Sequence, residues 1–204
     1  EAEANGSDRV LKLLIKRALE SGMPETEIHN LDELLAVEKD AERRSVLLEV
    51  KSQLLVQCVP PRIDEAIAAA NASLAEAPDP ERKLSATLTL AQILDRSGET
   101  QTARARIDDI MTAYPEPSAS SIKLFVEKGL LLEKEGDSTG AIAAFEDALC
   151  MLEKKPELLS PEVLESSRIA GFRLAQLYRS RGDQKKVDEV AERVKRLVAL
   201  LSTP

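Results

Sequence analysis

The side chains that most often bind metals or attack carbonyls are scarce in this sequence. His29 is its only histidine, and Cys58 and Cys150 are its only cysteines, far apart in the chain. A tetrahedral zinc site takes four His, Cys or carboxylate ligands, usually in closely spaced pairs, and one histidine with two distant cysteines does not supply them. His29 stands beside Glu27 and Asn30 near an expected helix start, where a solvated surface role suits it. Neither a phosphate-cradling glycine-rich loop nor a nucleophile elbow can be found. The 36 acidic residues are spread along amphipathic segments among 28 basic ones, so no carboxylate pair stands out as a general acid and base. We therefore expect no catalytic residue, no metal site, no cofactor and no enzyme activity. Each cysteine has apolar neighbours in an expected helix and reads as a buried free thiol. That favours, weakly, a reducing intracellular compartment such as cytoplasm or an organelle matrix or stroma.

Charge narrows the partners. The net charge is −8, and the basic residues alternate with acids, as in Glu192-Arg193-Val194-Lys195-Arg196. Nucleic-acid binding needs clustered cations that displace counterions, so it is not expected. No apolar run approaches the ~18 residues of a membrane span.

The elements that must position any site are helices. Aromatic residues are only 2% of the chain, poor material for a sandwich of strands, whereas Ala, Leu, Glu, Lys and Arg abound. Three segments repeat one another. Leu90-Ala91-Gln92-Ile93-Leu94 precedes Gly98-Glu99, then Ala103, Ile107, Ile110 and Pro115. Lys128-Gly129-Leu130-Leu131-Leu132 precedes Gly136-Asp137, then Ala141, Phe145, Ala148 and Pro156. Leu174-Ala175-Gln176-Leu177-Tyr178 precedes Gly182-Asp183, then Val187, Ala191 and Val194. A fainter copy has its second helix running from Ile63 through Ala66, Ala70 and Ser73 to Pro78. Each copy reads as helix, turn, helix. The small residue at Ala91, Gly129 and Ala175 lets two helices approach. Glycine tolerates positive φ and ends the first helix. The acid after it suits the positive N-terminal end of the next. Within the second copy, Ala141 should sit at a crossing and Glu146 should face solvent.

The ends are less regular. Leu11, Leu14, Ile15, Ala18 and Leu19 mark a helix from about Asp8 to Ser21, stopped by Gly22. Pro24 suits the first turn of another helix, or Asn30 with Glu33 caps one beginning at Leu31. The opening Glu1-Ala2-Glu3-Ala4 reads as a leader-processing spacer or as native sequence. At the other end, Val187, Val190, Ala191, Val194, Leu197, Val198 and Leu201 form a coiled-coil-like stripe. It reads as the packing face of the last helix or as a homodimer seam.

Across residues 42–201 these features resemble the tetratricopeptide repeat (TPR), whose signature joins a small residue, a large apolar one, a turn Gly-Asp, then Ala, an aromatic, Ala and Pro. The resemblance is strongest over residues 122–156. The copies are degenerate. Phe125, Thr87 and Gly171 stand where the usual first-helix Trp belongs, and the turn glycines lie 38 and 46 residues apart, against a family period of about 34. The excess falls at Pro115-Glu116-Pro117 and at 154–161. The resemblance implies an all-α fold, a right-handed α-α superhelix of about four helical hairpins plus N-terminal helices. The expected organisation is a disordered or vector-derived tail (1–7), an N-terminal helical cap (8–40) and a TPR-like repeat domain (41–204).

The resemblance also implies a function, a non-catalytic scaffold, adaptor or assembly factor that holds a partner peptide or helix in a concave groove lined by the first helices. The lining positions that follow are Lys51, Thr89, Gln92, Lys123, Glu127, Phe172, Arg173, Gln176 and Arg179, with Leu55, Leu130 and Lys134 among their neighbours. The chaperone-tail clamp of one TPR subtype is not expected. Lys51 and Lys123 match its two lysines, but Leu55 and Thr89 replace its two asparagines and Glu127 its arginine, and Glu127 would repel a ligand carboxylate. Phe172 reads either as a groove aromatic beside Arg173 and Arg179, favouring an acidic ligand with apolar anchors, or as a core residue. The competing function is a structural or regulatory repeat domain of a larger protein, which mainly packs or oligomerises.

Overall fold

The computed structural model describes residues 13 and 15–202. Helices hold 84% of the chain, and no strand occurs among the described residues. The all-α expectation holds. We label the helices α1 (Pro24–Val37), α2 (Ala41–Gln57), α3 (Ile63–Glu76), α4 (Pro80–Arg96), α5 (Thr100–Ala113), α6 (Ala119–Lys134), α7 (Ser138–Lys154), α8 (Pro161–Ser180) and α9 (Gln184–Ser202). The expected tail at 1–7 and most of the expected helix at Asp8–Ser21 lie outside the described residues, although 15–20 are helical and Gly22 follows at φ 67°.

Local chemistry explains the boundaries. Asp40, Asp79, Asp137 and Asp183 each accept a hydrogen bond from a backbone N–H three residues on, at 2.9–3.1 Å. Ser118 and Ser121 cap α6 reciprocally, and Ser160 caps α8. Gly98, Gly136 and Gly182 end the first helix of each clear repeat at φ 90°, 85° and 73°, which is the role expected of them. Pro24 occupies the first turn of α1. Asn30 is therefore mid-helix rather than a cap, and its Nδ2 donates to Glu27 at 3.2 Å.

Backbone contacts divide the chain into two compact units, one ending at Ser97 and the other beginning at Gly98. In the first, α1 packs on α2, α2 on α3, and α4 on both. Leu47, Leu54, Leu55, Ala66, Ala70, Leu84 and Leu90 are buried there. Ser45 and Ser73 knit α2 to α3 by donating to each other's backbone carbonyl at 2.9 and 2.8 Å, so this faint repeat is held by buried polar bonds as well as apolar packing.

In the second unit, α6 packs on α5, α7 and α8, and α8 packs on α7 and α9. Its core is built on Ile122, Phe145, Leu149, Leu152, Val163 and Leu174, all fully buried. The α6–α7 crossing depends on Gly129. A Cβ there would lie 2.6 and 2.7 Å from Cδ1 and Cζ of Phe145, so the missing side chain makes room for the ring. Ala141 is buried as expected. Glu146 is not free in solvent. It accepts from the Tyr178 hydroxyl at 2.9 Å and from Arg193 Nη1 at 2.6 Å, because side chains of α8 and α9 reach across to that side of α7. In the last hairpin a close approach is found at Gly171, whose added Cβ would strike Val194, while Ala175 is only partly buried. The long connection after α7 contains a 3-10 turn at Pro156–Leu158.

Candidate interaction surface

Helix α6 is almost surrounded by its neighbours, and what remains open is informative. Ile122, Leu124, Val126, Gly129, Leu131 and Leu132 are buried around nearly its whole circumference. Lys123, Glu127, Leu130 and Lys134 keep solvent contact and recur at four- and three-residue spacing, so they form one stripe along the helix. The equivalent positions of α8, 46 residues later, are Ile169, Arg173, Gln176 and Ser180, and all keep solvent contact too. Arg173 Nη1 lies 3.6 Å from Glu133 of α6 and 3.5 Å from Gln176 Oε1, which brings the α8 stripe alongside α6. Lys123 acts on the start of α8 as well. With Glu162's own backbone N–H and Ser160 as the larger causes, it helps hold the Glu162 carboxyl below its ordinary range. Lys123, Glu127, Arg173 and Gln176 thus share a mixed polar surface, with Lys134, Glu133 and Glu162 beside them, in which cations and carboxylates are balanced. Such a surface can accept hydrogen bonds and carboxylates from an extended chain, with Leu130 as an apolar contact.

The other sequence-derived positions fall differently. In the first unit Lys51 is partly buried and its Nζ lies 2.5 Å from Asp32 Oδ1. Thr89 is 4% exposed and its hydroxyl donates to Glu49 at 2.6 Å, so that side chain is occupied within the core. Glu49 also pairs with Arg82, whose burial pushes its pKa down. Gln92 is exposed. In the second unit Arg179 is exposed. Phe172 is 62% exposed, so the core alternative fails, because no helix covers that side of α8 among the described residues. Phe172 lines a depression of about 480 Å³ on α8 and α9 together with Gly171, Ala175, Ala191 and Val194.

That depression was missed in the sequence. Its signal was present in the run Glu165, Arg168, Ile169, Phe172, Ala175, which keeps one side of a helix, but an apolar stripe does not say whether a neighbour covers it. The C-terminal stripe divides in the same way: Val187, Val190 and Leu197 are buried, whereas Ala191, Val198 and Leu201 are exposed. Cys58 is buried and donates to the Leu54 carbonyl at 3.5 Å, and burial first, then Glu25, pushes its thiol pKa up. Cys150 is only partly buried. Among the described residues no group of three or more His, Cys, Asp or Glu side chains could hold a metal. No helix among them is long and apolar enough to cross a membrane.

Stacked helical hairpins with glycine turns, a small residue at the crossing and a polar stripe on the first helices define a TPR-like helical-repeat fold. Solved structures bear this out along nearly the whole chain. A kinesin-light-chain-like protein of Podosopora anserina with nearly identical TPR-like repeats is 17% identical, with 96% of this chain and 97% of that one covered and a TM-score of 0.64. BtubC from P. vanneervenii is 17% identical over 95% of this chain and 80% of its own, with a TM-score of 0.71. MamA is 13% identical over 90% and 94%, with a TM-score of 0.59. At these identities the likeness is one of fold. No family model matches the sequence, and no curated protein matches it.

Proposed function

We propose that the chain is a non-catalytic protein-interaction scaffold that holds a partner peptide or helix against the first helices of its repeats. The observation that carries this reading is the α6 stripe. A helix packed on so many sides leaves Lys123, Glu127, Leu130 and Lys134 toward solvent, and Arg173 and Gln176 of α8 adjoin them. A strip of mixed charge with an apolar contact suits an extended segment whose carboxylates meet Lys123 and Arg173 and which carries one or two apolar anchors.

The test begins with a photo-crosslinking residue in place of Gln176, with the same residue at exposed Asp147 as control. Partner peptides captured only from position 176 are sequenced and then titrated against Lys123→Glu with Arg173→Glu. Affinity should fall and lose much of its salt dependence. Equal capture at both positions, or unchanged affinity in the double variant, would remove the site from this surface. A second reading, that the chain mainly packs or oligomerises, draws on a different observation, the open apolar depression on α8 and α9.

A further inference from the structure

Repeat position predicts burial in one hairpin of the second unit and fails in the next. Val126 of α6 is 4% exposed under α8. Its counterpart 46 residues on is Phe172, larger and more apolar, yet 62% exposed. Ile169 beside it is 40% exposed. The neighbouring floor is made of small or short side chains, Gly171, Ala175, Ala191 and Val194, around a hollow of about 480 Å³. A protruding ring and a hollow therefore lie next to each other on one face.

Two of the charges around that ring are placed symmetrically, whereas Arg168 on the same side pairs with Glu165 of its own chain at 3.5 Å and has Gln176 at its mirror position. Glu165 lies seven residues before Phe172 and Arg179 lies seven after it, and both are exposed. Seven residues are about two helical turns, so the two charges stand on the Phe172 side of α8, each roughly 10 Å along the axis from it. If a second α8 crosses this one antiparallel at Phe172, a twofold axis exchanges the two positions. Glu165 then faces Arg179 of the partner subunit, and Arg179 faces Glu165 of the partner subunit. The same operation sets Ile169, three residues before the ring, against Ala175 of the partner subunit, three after it. Each Phe172 meets the hollow floored by Gly171 and Ala175. Such a face is complementary to itself, as an isologous interface requires.

We propose that the outer face of α8 and α9 is a homodimer interface, in which two α8 helices cross antiparallel at Phe172 with Glu165–Arg179 pairs on either side. The interface borders the peptide-binding proposal on α8, where Ile169 and Gln176 flank Phe172, but Glu165, Phe172 and Arg179, which test it, are distinct from Lys123 and Arg173, which test peptide binding. It also assigns the exposed edge of the C-terminal stripe, Ala191, Val198 and Leu201, to the rim of the same contact.

Sedimentation velocity of the full chain over a dilution series tests this. The wild type should dimerise. Phe172→Asp should be monomeric throughout, with an unchanged circular dichroism spectrum because the ring is exposed. Glu165→Arg and Arg179→Glu should each weaken the dimer about tenfold or more by opposing like charges, and the double reversal should restore it. That restoration is specific to the antiparallel register. A wild type that stays monomeric overturns the proposal and leaves the face to a different partner. A dimer indifferent to Phe172→Asp overturns its location. Single reversals without restoration in the double variant overturn the crossing, and they remain decisive if Phe172→Asp fails to fold.

Discussion

The hairpins α6–α7 and α8–α9 are built from one pattern and set a glycine of the first helix against a larger side chain of the second, but at different repeat positions. At the first, glycine is on the first helix and the ring on the second, Gly129 against Phe145. At the equivalent places of the second stand Ala175 and Ala191, and the close approach moves one turn along, to Gly171 against Val194. The ring also moves. Phe145 is fully buried within its hairpin, while Phe172 stands on the outside of the next. Small and large residues are therefore complementary within a hairpin, but neither position is fixed by the repeat. The fate of an apolar side chain depends on whether another helix follows to cover it.

The sharpest way to break this comparison is to truncate both rings. Phe145→Ala should remove about 3–5 kcal/mol, from lost transfer energy and the cavity left behind. Phe172→Ala should change stability by no more than about 0.5 kcal/mol, as surface substitutions do. Urea denaturation at a concentration where the protein is monomeric measures both. Equal losses would mean that α8 is covered and that the two hairpins are equivalent.

A smaller effect separates the two sides of α7. Glu146 binds the Tyr178 hydroxyl and Arg193, which also reaches Glu153 at 2.8 and 3.0 Å. Burial, then the Glu146 bond, pushes the Tyr178 pKa up, and the two carboxylates push that of Arg193 up against the opposing effect of burial. Glu146→Leu would leave a half-buried hydroxyl and guanidinium short of partners. It should cost about 1–2 kcal/mol, after allowing for the partial exposure of the cluster. Asp147→Leu, one residue on and exposed, should fall within about 0.5 kcal/mol of wild type. If these two variants melt alike, α9 is not tethered through Arg193.

The glycines give a finer comparison. Gly129→Ala and Gly171→Ala both gain helix propensity of up to about 1 kcal/mol. Both also add a methyl where something stands. Phe145 is enclosed and cannot yield, so overpacking of about 1–3 kcal/mol should win at Gly129. Val194 is half-exposed and can turn aside, so Gly171→Ala should be close to neutral. Paired thermal melts decide this, and a greater loss at Gly171 would reverse the assignment of the tighter crossing.

Much of the fold could be read because it rests on local chemistry. Gly98, Gly136 and Gly182 stop helices through φ, and Asp137 and Asp183 start them by accepting backbone N–H bonds. Both effects act within a few residues. That Gly129 admits a neighbouring helix was legible from its place in the repeat, but not that Phe145 is the side chain that fills the space. What escaped depends on residues distant in sequence. Glu146 looks solvated until Tyr178 and Arg193 are brought to it from two later helices. Thr89 fits a lining pattern, but Glu49 of another helix draws it inward. Phe172 reads as groove or core, and its exposure removes the core alternative alone, because spacing identifies a helix side without identifying its neighbour.

The two first helices also differ at their N-termini, and this supplies the smallest effect. The start of α6 is capped by Ser118 and Ser121, with no acid in its first turn. Helix α8 is capped by Ser160 with Glu162 in its first turn, and Ser160 Oγ donates to Glu162 Oε2 at 2.8 Å. The carboxylate is favoured there by its own backbone N–H, then by Ser160, and more weakly by Lys123, so its pKa lies below the ordinary value. The sign follows from linkage. A carboxyl whose pKa is lower when folded stabilises the fold above its unfolded pKa of about 4.3, and that contribution is lost as pH falls through the folded value. Glu162→Gln should therefore melt slightly below wild type near neutral pH and converge with it on acidification. Ser118→Ala should cost about 1 kcal/mol, with no such convergence, since its cap has no titrating group. Thermal melts of both variants between about pH 3 and pH 6 make the comparison. A Glu162→Gln deficit that persists at the acid end would show that the side chain acts through packing rather than charge.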